Sequence, residues 1–460
     1  MVIFVGKDIW RLSLHRHLWR MAIIALVFVG CAPSLNWYPQ MNQYLQNRQY
    51  GAALKLIDQN KASYSQHNAV LFYLDQGLVA HYGGYYEQSN QALSKAESLM
   101  QDLYTTSISQ KAATFLINDN AYPYRGEDFE SALVNLFMAI NYAAMKQWDD
   151  ALVEARKVDA KLSMFNAQYG ANEKNEYDED AFIRFLMGVL YEADGEINDA
   201  FISYRKAEEI YRNDYRRLYG LGPPKLLLDK YIYSAESLRF NSEIRSLRRI
   251  YPRLSVPNRR KSTESGEVYL IHYNGFGAQK VQNFFLVRMP DRYVLKLPYP
   301  VFKESSCRTA SSKVILTEIK SGRSFALRTV AVENISAIAR LNLHNRIARI
   351  KLKAFARVTA KYIAAKEAEK KARKDKNAGL ANLMHMFSQT AIIVSEQADI
   401  RHWRTLPAQI RMGEAILPPG TYQGSVELLD GNGRTLKTIP IPNFSVNPGE
   451  KRILTVRSFM

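Results

Sequence analysis

Cysteine is nearly missing from this 460-residue chain, which has two, Cys31 and Cys307. Histidine is sparse too, eight in all, and none falls into a metal-ligand spacing such as H-E-x-x-H. There is no glycine-rich phosphate loop, Gly275-Phe276-Gly277 being too short, and no G-x-S-x-G elbow. Long apolar stretches are also lacking. The one conspicuous run, Met21 to Val29, falls well below the ~18 residues that cross a bilayer. These absences exclude a disulfide-stapled scaffold, a zinc or nucleotide site of familiar pattern, and a multispanning membrane protein. No cofactor and no metal are expected. Cys307, in Glu304-Ser305-Ser306-Cys307-Arg308, reads as an incidental thiol and not as a nucleophile.

What is present is a folding composition, 47% hydrophobic and 12% aromatic, far from that of a disordered chain. The length allows two to four domains at ~100–200 residues each. Lys7, Arg11, Arg16 and Arg20 precede the apolar run, and Gly30-Cys31-Ala32-Pro33-Ser34 follows it, the order of an export signal. A cysteine directly after a small residue resembles a bacterial lipobox. By that resemblance the chain is cut before Cys31 and the thiol is acylated. Phe28 stands where such boxes usually carry leucine, and an ordinary cleaved signal or an N-terminal anchor helix are the alternatives. Net charge is +18, and removing residues 1–30, with four Lys/Arg and one Asp, leaves +15. In the cytosol that excess would suggest nucleic acid. Export removes that partner and leaves lipid headgroups, cell-wall carboxylates or an acidic protein.

From about Trp37 to Tyr211 the chain reads as helical, with apolar residues at i, i+3 and i+4. Four segments share a small-residue and aromatic pattern. Gly188, Tyr191, Gly195, Ala200, Tyr204 and Ala207 form one; Gly77, Gly84, Tyr86, Leu93 and Ala96 another; Ala139, Tyr142, Trp148, Ala151 and Ala155 a third. Tyr50, Ala53 and Ile57 make a truncated first copy. Small residues let paired helices approach while aromatics fill the space between pairs, which is tetratricopeptide (TPR) logic. Such arrays present a groove to a protein partner, and Tyr142, Trp148, Tyr191 and Tyr204 are the candidate groove residues.

Pro252, Pro257 and Arg259-Arg260-Lys261-Ser262-Thr263 then read as a linker. Short alternating runs from Val268 to Val332, and again from Tyr422 to Val456, predict seven or more strands, and that number suggests a sandwich. Between them Glu333 to about Arg401 predicts an antiparallel helical hairpin. One of its faces carries Leu343, Ile347, Ile350, Ala354, Val358, Tyr362 and Ala365; another carries Arg346, Arg349, Lys353, Arg357 and Lys361. The basic stripe is either a solvated face or a contact with anionic lipid or cell wall.

Two acidic groupings bear on chemistry. Glu396, Asp399 and His402 fall at i, i+3 and i+6, so the two carboxylates would share a helical face as acid and base of a hydrolase, or serve as caps and ion pairs. Glu173, Glu176, Asp178, Glu179 and Asp180 form an acidic loop whose order fits no calcium loop, and it is expected to favour the next helix's positive end.

Pro123-Tyr124-Arg125-Gly126-Glu127-Asp128-Phe129, Trp148 to Arg156, Glu396 to Pro407 and Leu417-Pro418-Pro419-Gly420-Thr421-Tyr422 together resemble an uncharacterised family of bacterial TPR-containing outer-membrane lipoproteins. Relatives are encoded near lipoprotein regulators of cell-wall synthases, which implies a place in envelope assembly. Ala32 after the acylated cysteine resembles outer-membrane sorting.

The expected architecture is α+β and multidomain, with a signal over 1–30 and a TPR-like helical array over 31–215. A helix and linker (216–262) lead into a β-sandwich-like module split over 263–335 and 401–460, with the helical hairpin inserted at 336–400. The expected function is non-enzymatic: an adaptor held to the outer membrane by lipid at Cys31, facing the periplasm, with a protein partner in its groove. The rivals are a cell-wall hydrolase using Glu396 and Asp399, and a purely structural spacer.

Overall fold

The structure is a computed structural model that describes residues 36–109, 119–167, 176–254, 264–291, 293–374, 385–386, 388–390, 392–393 and 396–459. Cys31, Glu173 and the run 259–263 lie outside the described residues.

One turn recurs five times in the helical part. It joins α1 (Tyr38–Gln46) to α2 (Tyr50–Gln59), α3 (Ala69–Tyr82) to α4 (Tyr86–Ser109), and α5 (Asp128–Ala144) to α6 (Trp148–Ala167). It also joins α7 (Ala181–Ala193) to α8 (Ile197–Ile210), and α9 (Lys225–Ser237) to α10 (Asn241–Ile250). In each, one residue is left-handed: Arg48, Gly84, Lys146, Gly195 and Arg239, at φ 57–84°. The carbonyls of Tyr44, Ala80, Tyr142, Tyr191 and Ala235 each accept from the N–H five residues on, at 2.8–3.0 Å. That is the Schellman closure, which satisfies carbonyls that a helix end leaves orphaned. The sequence shows four repeats and not five because Arg239 stands in the last turn where Gly84 and Gly195 mark two of the others. The truncated first copy is completed by α1, and α9–α10, read as helix and linker, form a fifth pair.

Within pairs the helices touch through partners sixteen residues apart. A Cβ on Gly77 would stand 2.6 Å from Leu93, and one on Gly188 would stand 2.3 Å from the Tyr204 ring. Glycine is therefore required at both crossings. Asp180, from the acidic loop, caps α7 by accepting from Ile183 N at 2.8 Å.

The β part is one seven-stranded sheet. Its strands are β1 (Gly266–Phe276), β4 (Ser311–Glu318), β5 (Ser324–Glu333), β6 (Pro407–Leu417), β7 (Gly420–Leu429), β8 (Thr435–Val446) and β9 (Lys451–Ser458). Their order is β8-β7-β4-β5-β6-β1-β9, antiparallel except for β1 with β9. The sheet curls until its ends approach, Arg452 on β9 donating to the Ser445 carbonyl on β8 at 3.1 Å. Val268, Leu270, Val314, Leu316, Val426 and Ile439 fill the enclosed core. The expected sandwich is thus a nearly closed barrel. Alternation is the same in either, and only strand pairing distinguishes them.

Two insertions leave the barrel. β2 (Gln279–Arg288) and β3 (Val294–Lys303) pair only with each other. Helix α11 (Ile335–Lys374) follows β5. The described residues after it run back along it: His385 meets Glu369 at 3.0 Å, and Glu396 meets Arg357 at 3.0 Å. Val358 and Ile392 bury against Tyr293, just before β3, and Leu295 on it, so hairpin and helix form one arm.

Candidate functional site

The helices α3, α5 and α7 face away from α4, α6 and α8, and in an open array that face would be wet. Here it is covered. Every residue of α5 from Asp128 to Asn141 is buried. The cover is the chain's own β module. Strand β1 is buried at ten consecutive positions, because Val268 and Leu270 point into the barrel while Tyr269, Ile271 and Tyr273 join the core of the helices. The helical array and the outer face of the barrel therefore share one core, distinct from the barrel's interior.

The irregular stretch Arg401–Leu406, with a turn at Arg404-Thr405, lies in this groove. Trp403 N donates to Glu130 Oε1 at 2.7 Å, and Thr405 Oγ1 donates to Asp75 Oδ1 at 2.9 Å. The Tyr82 hydroxyl donates to the Thr405 carbonyl at 3.0 Å. Arg401 donates to the Tyr122 carbonyl at 2.8 Å, and its guanidinium lies over the Tyr124 ring at 5.3 Å. The buried Trp403 ring meets Phe137 edge-on, centroids 5.7 Å apart. Two stretches that stand out in the sequence, 123–129 and 396–407, thus meet face to face.

Around this seam the titratable groups are spent on structure. Burial lifts the Asp75 carboxyl above its ordinary range, although it accepts from Tyr38, Tyr64 and Thr405. Burial and the neighbouring Glu127 push Glu130 up to about 7. Burial would raise Glu127 too, but Arg346 and Lys280 outweigh it and hold the carboxyl well below the usual range. Burial brings His81 down to about 4, so the ring is neutral. Its Nδ1 donates to Asn141 Oδ1 at 2.5 Å and its Nε2 accepts from Tyr273 at 2.7 Å. A second seam holds five charges: Lys230 contacts Glu267 at 2.6 Å and Glu192 and Glu414 at 3.1 Å, and Lys451 contacts Glu267 at 2.7 Å.

A third seam is acid on acid. The carboxyls of Asp180 and Glu333 bond each other, and both are raised, burial first and then, for Glu333, Asp180's charge. Tyr177 donates to Asp180 at 2.7 Å, and Tyr215 to Glu333 at 3.1 Å. A π-helical turn over Tyr211–Tyr215 aims Tyr211 and Tyr215 at the end of β5.

The residues picked from sequence fall mostly elsewhere. Tyr204 is fully buried and donates to Glu192 at 2.6 Å. Tyr191 accepts from Arg156 at 2.7 Å. Tyr142 and Trp148 pack half-buried against the core. All four take part in packing. The basic stripe also turns inward: Arg346 pairs with Glu127, Arg357 with Glu396 at 3.0 Å, and Lys361 with Glu396 at 2.6 Å. Arg349 and Lys353 are half-buried on the same helix. A lysine-and-arginine periodicity cannot say which face meets carboxylates supplied from 35–219 residues away.

Those pairs also engage Glu396, the acid of the hydrolase reading. It is wholly buried with both oxygens occupied. Asp399 is clasped by Arg401 at 2.7 Å, which outweighs burial and keeps it below its ordinary range. A general acid needs the reverse. Among the described residues no three His, Cys, Asp or Glu gather as for a metal ion, and no helix is long and apolar enough to cross a membrane.

A cleft of about 650 Å³ opens between α4, α6 and the Arg125–Asp128 turn, and a smaller one of about 350 Å³ lies beside the seam, lined by Trp37, Tyr38, His67, Gln397 and Arg401 among others. Met100, Tyr104, Met164 and Phe165 form the larger cleft's apolar floor, with Tyr104 edge-on to Phe165 at 5.4 Å. Glu97 and Lys161, paired at 2.9 Å, stand on its rim.

The repeated hairpins define a TPR-like array, the kind of fold whose surfaces serve protein–protein interaction. No protein-family model and no curated protein matches the chain. Solved structures that resemble it include apo RapI, with a TM-score of 0.35 and 10% identity over 78% of this chain and 76% of that one. BtubC from P. vanneervenii has a TM-score of 0.33 and 12% identity, over 55% and 96%. MamA AMB-1 has a TM-score of 0.28 and 14% identity, over 49% and 100%.

Proposed function

We propose that this protein is a non-enzymatic adaptor of the cell envelope, tethered by lipid at Cys31 to the outer membrane and facing the periplasm. Its concave face is used to hold its own β module, and its protein partner binds the cleft on the α4–α6 side. The observation that carries the reading is that cleft. It joins an apolar floor to a rim of both charge signs, the make-up of a site for a partner's anchoring side chain. The tether rests on the basic residues, the apolar run and the Gly30-Cys31 junction of the sequence.

Two measurements test it. A photo-crosslinking residue at Tyr104 in the full chain, expressed in its own envelope, should give one discrete adduct that Met164→Glu abolishes without lowering Tm. An adduct unchanged by Met164→Glu sinks the cleft as the partner site. Metabolic labelling with an alkyne-bearing fatty acid should mark the chain, and Cys31→Ser should remove the label. Label that persists in that variant overturns the tether.

A further inference from the structure

The arm made by β2, β3 and α11 carries, along its middle, exposed apolar residues that nothing described covers. Phe284, Phe285 and Leu286 are 48%, 46% and 61% exposed, and Leu352 and Phe355 on α11 are 62% and 49% exposed. On one face of the ribbon Lys351 lies over the Phe285 and Tyr299 rings at 5.0 and 4.4 Å, and Phe355 follows four residues later on the same helix face. Lys296 lies over Phe284 at 5.4 Å.

Charge around the patch is one-sided. Residues 335–374 hold twelve Lys/Arg against two Glu, and residues 279–303 hold five against one Asp; of these bases Lys280, Arg340, Arg346, Arg357 and Lys361 pair with Glu127, Glu304 and Glu396, and the excess remains basic. Two of the three acids in those two ranges are already engaged within the arm. Asp291 meets Lys366 at 2.6 Å and the Tyr362 hydroxyl at 2.8 Å, and Glu369 accepts from Tyr293. Basic residues around exposed aromatic and aliphatic side chains are what an anionic bilayer surface takes.

We infer that this arm docks on an anionic phospholipid surface, with Phe284, Phe285 and Leu286 entering the headgroup region and Lys296 and Lys351 at phosphate level. Geometry favours lipid over a protein. Three consecutive exposed positions of a strand point to both faces of the ribbon. A flat protein surface covers one face, whereas a fluid apolar phase takes both. Proline at 298 and 300 removes two N–H groups from β3, so that strand is poorly made for pairing with a further strand. The inference uses none of the residues invoked for the tether or the cleft.

The test uses residues 36–460, which contain the whole described fold and lack Cys31. Co-sedimentation with phosphatidylglycerol-containing vesicles should be strong, should weaken with salt, and should fail on pure phosphatidylcholine. Phe285→Ser/Leu286→Ser and, separately, Lys351→Glu should each weaken it by roughly tenfold with Tm unchanged. Equal binding to neutral vesicles, no binding to either, or variants that bind as wild type would overturn the proposal. Concentration-dependent dimers lost in the Phe285→Ser/Leu286→Ser variant would assign the patch to a second copy and also overturn it.

Discussion

Trp403 donates its main-chain N–H to Glu130 at 2.7 Å, so a helical-repeat face that elsewhere would await a partner already holds a segment of the same chain. The bond is one of several along Arg401–Leu406, and the indole between them is buried against Phe137. The groove is thereby converted from a binding surface into a joint.

The joint's apolar weight is tested by Trp403→Ala. Truncating a buried tryptophan costs about 3–5 kcal/mol, and here the cavity would open between array and barrel. The midpoint of urea unfolding should fall accordingly, with faster amide exchange in both α5 and β1. A loss under about 1 kcal/mol would show that the segment merely lies along the groove.

The acid pair at the third seam predicts a stability that falls as pH rises. Asp180 and Glu333 both hold their protons above the ordinary values of 3.8 and 4.5. The folded chain therefore keeps a proton that the unfolded chain releases, and folding binds it. The contribution is complete below the unfolded values and is lost as pH climbs through the folded ones. Thermal melts from pH 5 upward should show Tm descending toward alkaline pH, and Glu333→Gln should flatten that slope. An unchanged slope in the variant would mean that other groups set the dependence.

Lys230 holds three carboxylates without exposure to water. Replacing it with methionine leaves Glu267 and Glu192 with Lys451 and takes the Lys230 contact from Glu414, and breaking a buried pair in this way costs about 3–5 kcal/mol. Calorimetry should show that loss at neutral pH and less of it in acid, where the glutamates take up protons. Equal loss at both would place the effect in packing.

Arg239 is left-handed at φ 57° and exposed. A left-handed non-glycine residue costs roughly 1–2 kcal/mol, of which a glycine's extra chain entropy takes back part. Arg239→Gly should therefore stabilise the protein by about 0.5–1 kcal/mol, read from the denaturation midpoint. A destabilised variant would show that the arginine contributes a contact worth more than its strain.

Much of the local structure was legible in the residues themselves. Gly77, Gly188, Ala139 and Ala155 mark helix crossings because only small side chains fit there, and Gly84 and Gly195 mark turns. Lys146, Arg48 and Arg239 in equivalent turns hid the remaining geometry, since nothing local requires a basic residue to be left-handed. The paired acid of Arg346, Arg357 and Lys361 was equally hidden, because Glu127 and Glu396 arrive from remote parts of the chain.

Periodicity, residue size and turn chemistry act over a few residues. From them the sequence alone determined that helical hairpins come first and short strands follow, with a basic helix set among the strands. Only the tertiary structure decided that the strands close on themselves, that β1 faces two cores at once, and that Arg401–Leu406 fills the concave face. Those outcomes depend on which distant surfaces exclude water together, a competition settled by the whole chain and not by any window of it.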